Sequence, residues 1–118
     1  MLKVIIAGGR DFIDYQLLCH KCDYFVANQA KIEFEIVSGR AKGADLLGER
    51  YAQGNGYSVK IFPANWDLHG KSAGYKRNIE MAEYADALIA FWDSGSRGTK
   101  HMIDTATRLG AKVRVVNY

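Results

Sequence analysis

The stretch Leu2-Lys3-Val4-Ile5-Ile6-Ala7, followed at once by Gly8-Gly9-Arg10-Asp11-Phe12, decides the fold. Its run is apolar, rich in β-branched residues and free of polar alternation. That is the pattern of a strand covered on both faces, as in a parallel sheet. The run is too short for a secretory leader with a cleavage site and far too short to span a bilayer. A cytoplasmic protein with no membrane partner is the expectation.

Outward from this strand, the chain alternates. Residues 14–29 read as a helix, with Asp14 as N-cap and Tyr15, Leu18, Cys22, Phe25 and Val26 on one face. Residues 32–37 form a second strand, stopped by Ser38-Gly39. A second helix covers residues 42–52, faces inward with Ala44, Leu47, Gly48 and Tyr51, and is broken by Gly54-Asn55-Gly56. A third strand, residues 57–62, ends at Pro63, the single proline. Residues 72–84 are a third helix, with Tyr75, Ile79 and Ala82 as its inner stripe. Residues 85–92 are a fourth strand, and residues 98–109 a fourth helix with Thr99, Met102, Ile103 and Ala106 facing in and Gly110 ending it. Residues 112–116 close the sheet.

Five strands separated by four helices predict a single Rossmann-like α/β domain of three layers, a parallel sheet with helices on both faces. Right-handed crossovers leave few topologies. The expected strand order is 3-2-1-4-5, with the flavodoxin-like 2-1-3-4-5 as the alternative. The length of 118 residues suits one domain, and 48% hydrophobic with 25% charged residues is an ordinary globular balance. A net charge of +3 fits an anionic ligand without requiring nucleic acid or a lipid surface.

The unusual residues gather in the connections that leave strands. These are Gly8-Gly9-Arg10-Asp11, then Ser38-Gly39-Arg40-Ala41-Lys42-Gly43-Ala44-Asp45, then Asn65-Trp66 with Arg77-Asn78 beyond, and finally Asp93-Ser94-Gly95-Ser96-Arg97-Gly98-Thr99. A parallel sheet puts all of them at its carboxyl edge, where open α/β sheets bind ligands beside the reversal of strand order. With strands one and four adjacent, the loops at residues 8–11 and 93–99 face one another. Glycines admit an anion to backbone N–H groups, and helix N-termini favour negative charge. Arg10, Arg40, Lys42, Lys71, Lys76, Arg77 and Arg97 add cations near that edge, and a guanidinium can grip phosphate bidentately. Trp66 is a candidate stacking wall for a base. No Walker A motif and no Gly-x-Gly-x-x-Gly is present.

These residues resemble the SLOG superfamily, which joins the DNA-processing protein DprA to the LOG phosphoribohydrolases, and within it the YspA-like proteins. The opening at residues 8–12 looks like the YspA type, and residues 38–45 resemble the superfamily's Ser-Gly-x-Ala-x-Gly-x-Asp signature. Pro63-Ala64-Asn65-Trp66, Gly70, Ala73-Gly74 and Arg77-Asn78 look like the YspA-type central block, and residues 94–99 stand where these proteins carry a phosphate-binding turn. The resemblance implies a nucleotide or ADP-ribose-like ligand, and a role in sensing or processing it, often in phage–host conflict. It implies that the ligand is held by Gly8, Gly9, Arg10, Asp11, Ser38, Gly39, Arg40, Asp45, Asn65, Trp66, Arg77, Asn78, Asp93, Gly95, Ser96, Gly98 and Thr99. Relatives often pair through helices, so a homodimer is expected.

Three functions follow: a module that senses or sequesters a nucleotide-derived molecule, a LOG-type N-glycosidase, and a DprA-type binder of single-stranded DNA. LOG enzymes carry a catalytic glutamate in Gly-Gly-x-Gly-Thr-x-x-Glu, and Met102 stands in its place here. A thioether cannot serve as a base, which argues against catalysis. The mild charge and the lack of a basic, aromatic-rich segment argue against single-stranded DNA. The binding module is the expected function. Cys19-His20-Lys21-Cys22 lies within the first helix and reads as packing rather than as a redox or zinc site. No metal and no cofactor is expected.

Overall fold

A computed structural model describes residues 1–30 and 33–118. Its strands and helices run β1 (Leu2–Gly8), α1 (Tyr15–Ala27), β2 (Phe34–Ser38), α2 (Ala44–Asn55), β3 (Ser58–Ile61), α3 (Trp66–His69), α4 (Ala73–Tyr84), β4 (Ala87–Trp92), α5 (Arg97–Arg108) and β5 (Lys112–Asn117). The sheet is parallel, in the order β3-β2-β1-β4-β5. This is the Rossmann-like order read from the sequence, and the flavodoxin-like alternative falls away.

β1 sits at the centre because both of its faces are apolar. Val4 and Ile6 join Leu18, Cys22, Phe25, Tyr51 and Ala52 in a core under α1 and α2. Ile5 and Ala7 face the other way, into a core with Met81, Ala82, Met102 and Ala106 of α4 and α5. Burial of each large side chain is worth about 1.5–3 kcal/mol. The outer strands differ: Lys60 on β3 and Lys112 and Arg114 on β5 are exposed charges, which discourage edge-to-edge pairing.

Local chemistry sets the boundaries. The Asp14 side chain accepts the Leu17 N–H at 3.0 Å and starts α1 as an N-cap. α2 runs past Gly54 and ends at Gly56, whose φ of 73° is the left-handed cap glycine tolerates. The second strand begins at Phe34; Ile32, placed in it by the sequence pattern, lies outside the described residues. Residues 66–72, read as loop, form the short α3 and a 3₁₀ turn, because the Asn65 side chain caps them by accepting the Leu68 N–H at 3.1 Å.

The stripe expected on α4 is wrong in part. Tyr75 and Ile79 are 43% and 38% exposed, while Ala73, Asn78, Met81 and Ala82 are buried. The helix turns its small and amide-bearing side inward, so apolar periodicity alone misjudged its rotation.

One junction ties the sheet to the helices. The Gly9 N–H donates to the Phe91 carbonyl at 3.0 Å, and the Gly9 carbonyl accepts the Ala44 N–H at 3.3 Å. Gly43 sits against this peptide at φ 82°, where a Cβ would fall 2.2 Å from the Gly9 oxygen. Gly43→Ala should therefore cost about 3 kcal/mol of stability. Gly54→Ala, with nothing within 4 Å, should be neutral or stabilising by up to about 1 kcal/mol. Urea unfolding of both variants checks the contrast.

Candidate functional site

The loops leaving β1, β2 and β4 meet with the first turns of α4 and α5 around one cleft of about 480 Å³ at the carboxyl edge. It lies over the reversal between β1 and β4, where Gly8 pairs with Phe91. Of the sequence candidates, Gly8, Gly9, Arg10, Asp11, Asp45, Trp66, Arg77, Asn78, Asp93, Ser96, Gly98 and Thr99 line it. Ser38, Gly39, Arg40, Asn65 and Gly95 do not.

Each of these five has another task in the fold. The Ser38 hydroxyl is buried and donates to Glu49 Oε2 at 2.6 Å, while accepting the Arg40 N–H. The Arg40 side chain turns to Glu49, 3.6 Å away. Asn65 caps α3. The Gly39 carbonyl accepts from Arg77 Nη1. A Cβ on Gly39 would lie 2.8 Å from both Arg77 Nη1 and Asp45 Oδ2, so glycine lets the two charged groups converge. The Gly95 N–H is taken by Asp93, as described next.

The turn before α5 is largely self-satisfied. Asp93 Oδ1 accepts the N–H groups of Gly95 and Ser96, both at 2.8 Å, and these bonds hold its carboxyl below the usual range. The Ser96 hydroxyl caps the Thr99 N–H at 3.3 Å, and the Trp92 indole donates to the Ser96 carbonyl at 3.0 Å. The expectation that a ligand meets the whole turn is thereby narrowed. Among the described residues, the first-turn N–H groups of Arg97 and Gly98 have no hydrogen-bond partner.

Arg77 is the fixed cation of the cleft floor. Its Nη1 holds the Gly39 carbonyl and its Nε donates to Asn78 Oδ1 at 3.2 Å. Nη2 has no protein partner among the described residues. Burial lowers the affinity of this guanidinium for its proton; Asp45 opposes that and Arg10 adds to it. Asn78, 8% exposed, is the joint behind it. Its Nδ2 lies 3.3 Å from the Gly98 carbonyl and 3.3 Å from His101 Nδ1, so α4 and α5 are held together at the cleft. Of the other cations named from the sequence, Lys71 lines the cleft; Lys42, Lys76 and the Arg97 side chain do not.

Asp45 opens α2 beside this arginine, 5% exposed. Burial pushes its carboxyl up to about 6, against the pull of the Ala41 N–H and of Arg77. Trp66 and Tyr75, half exposed, supply an aromatic side; Tyr75 packs on His101 with ring centroids 4.5 Å apart. Met81 and Met102 line the same cleft, and Met102 is 2% exposed.

Sequence reasoning missed several contributors. Tyr75 belongs to the cleft rather than to the inner stripe the sequence pattern assigns it, and His101 backs it. Tyr118 comes from the far end of the chain: its hydroxyl donates to Asp11 Oδ1 at 2.6 Å, and its ring packs edge-on to Phe12. A Cβ on Gly9 would fall on that hydroxyl. Glu49 is buried one turn along α2 from Asp45. Only its helical spacing from Asp45 marked it in the sequence. Cys22 packs into the core under α1 and α2.

An open parallel sheet with a charged, partly aromatic cleft at its switch point defines a Rossmann-like α/β protein. The model of the YspA, cpYpsA-related SLOG family matches residues 2–69, and the chain belongs to that family. It is also 39% identical, over an alignment of 131 positions, to the Gene 61 protein of Mycobacterium phage D29, with all of this chain and 97% of that protein covered. No solved structure matches the chain. The matched segment ends before Arg77, Asn78 and the turn at residues 93–99.

The displaced carboxyl gives a pH prediction. The folded state favours neutral Asp45, so its contribution is full below the ordinary value of 3.8 and is lost as pH rises through about 6. A displacement of that size is worth up to about 3 kcal/mol. The stability of Asp45→Asn relative to the parent should therefore improve by up to that amount between about pH 4 and pH 8. Urea unfolding at both pH values measures it.

Proposed function

We propose that the protein binds a nucleotide-derived small molecule in this cleft, as a sensing or sequestering module. The observation that carries the reading is the half-buried guanidinium of Arg77. It is pinned on one side by Gly39 and Asn78, open on the other, and faced by Arg10. Two like charges directed at one space are costly unless an anion joins them. Phosphate fits that demand: Arg77 and Arg10 supply guanidinium donors, and the N–H groups of Arg97 and Gly98 at the start of α5 supply the rest. Trp66 and Tyr75 offer a flat apolar side for a base. A cleft of about 480 Å³ is in the range used by small-molecule sites.

The glycosidase reading lacks its base. Met102 stands where LOG enzymes carry glutamate, and its buried thioether cannot take or give a proton. Asp93 caps its own turn, and Asp104 pairs with Lys100 at 2.7 Å outside the cleft, so neither takes the glutamate's place. Purified protein given AMP should release no free base at the rate of about one turnover per second or more that marks an enzyme.

Binding is tested by thermal shift against a panel of nucleotides, where a ligand at a hundred times its Kd adds about 2.7 kcal/mol. For the ligand so found, calorimetry should show Arg10→Ala weaker by about ten- to a hundredfold, since a charged hydrogen bond contributes about 1.5–3 kcal/mol. Arg97→Ala should lose less, because its contribution is its backbone N–H. Unchanged affinity in folded Arg10→Ala would remove the phosphate from this crevice.

A further inference from the structure

The proposed anion site has an acid built into it. Asp45 lines the same cleft as Arg77, is more than nine-tenths buried, and is fixed by the Ala41 N–H, which donates to its Oδ2 at 3.3 Å. The Gly8 N–H also supports this carboxyl, and two amides leave a carboxylate room for one further donor from the cleft side. Beyond these amides and the nearby charge of Arg77, the cleft offers it no side-chain donor: Met81 and Met102 are apolar, and Glu49 is engaged by Ser38 and Arg40. A carboxylate in this position repels a phosphate and accepts a hydrogen bond from a hydroxyl. An anion drawn to Arg77 must therefore carry a donor group a short distance from its charge, aimed at Asp45.

Resting on the binding reading above, we propose that Asp45 accepts a sugar hydroxyl of the ligand, so that the cleft selects ribose phosphates with their free hydroxyls over deoxyribose ones. The logic is asymmetric. A ligand that lacks the hydroxyl loses one hydrogen bond and also strands a desolvated acceptor. Phosphate and base contacts, by contrast, are the same in both sugars. Discrimination thus comes from Asp45, while general affinity comes from Arg10, Arg77 and the aromatic side. The same acceptor disfavours deoxyribose nucleic acid as the occupant, independently of the chain's mild charge.

The experiment is calorimetric titration of the whole chain with AMP, its 2′-deoxy and 3′-deoxy analogues, and ribose 5-phosphate. One or both deoxy analogues should bind about ten- to a hundredfold more weakly than AMP, the range for a hydrogen bond to a charged acceptor. In Asp45→Ala that preference should disappear. In Asp45→Asn, which keeps the size and a neutral acceptor, it should shrink to about three- to tenfold, and this variant serves if the alanine does not fold. Affinity for the weaker deoxy analogue should hold or rise in both variants while that for AMP does not gain as much, a split that a merely structural role for Asp45 would not produce. Equal binding of AMP and both deoxy analogues overturns the assignment and leaves the binding function standing. A preference unchanged in both folded variants places the sugar reader elsewhere and also overturns it. Absence of binding by AMP and by ribose 5-phosphate alike would instead strike the proposed function, and this inference with it.

Discussion

The peptide of Gly9 holds the molecule's two halves in register. Its N–H reaches across to the Phe91 carbonyl on β4, and its carbonyl receives the first N–H of α2. Three chain segments far apart in sequence therefore share one peptide plane. The carboxyl edge of the sheet opens beside it, because the crossover from β1 goes to β2 on one side and β4 lies on the other. Glycine is demanded at Gly43 by backbone approach and at Gly9 by the Tyr118 hydroxyl. The glycine-rich loops thus act first as close-packing devices, and only then as the wall of a cleft.

That order of causes explains how the cleft gets its charge. Several backbone amides at two helix starts are already spoken for: Ala44 of α2 by Gly9, and Gly95, Ser96 and Thr99 around the start of α5 by Asp93 and Ser96. Positive potential for a ligand is therefore concentrated in side chains, Arg77 above all, with two amides of α5 beside it. Arg77 is not free to swing away, since Gly39 and Asn78 hold two of its nitrogens. Such fixed, partly desolvated charges lower the ordering cost of binding. The rigid acid next to it, Asp45, keeps the site from being a general anion sink.

The sheet was legible in the sequence because a strand buried on both faces leaves an unbroken apolar run, and β1 and β4 both have one. Turn chemistry marked the helix ends at Asp14, Gly56 and Gly110 for equally local reasons. The short helix at Trp66–His69 was hidden because it depends on one capping side chain, Asn65. The rotation of α4 was hidden because its buried face carries Asn78 and Ala73, which no apolar stripe announces. Within the cleft, loop position identified most lining residues. It could not tell those that face the cavity from those, such as Ser38 and Arg40, consumed by a buried partner. Glu49 decides that, and its role emerges only when α2 is docked. Tyr118 was invisible for a similar reason, since its contact with Asp11 spans nearly the whole chain.

Amide chemical-shift mapping during titration with AMP tests the central claim most directly, because it reports where a ligand sits without assuming which side chain matters. The account predicts perturbations concentrated at residues 8–11, at Asp45, at Arg77 and Asn78, and at Arg97–Thr99, with the outer faces of α1 and β5 unchanged. Saturable shifts confined to those outer faces, or no shifts at millimolar AMP, would contradict it.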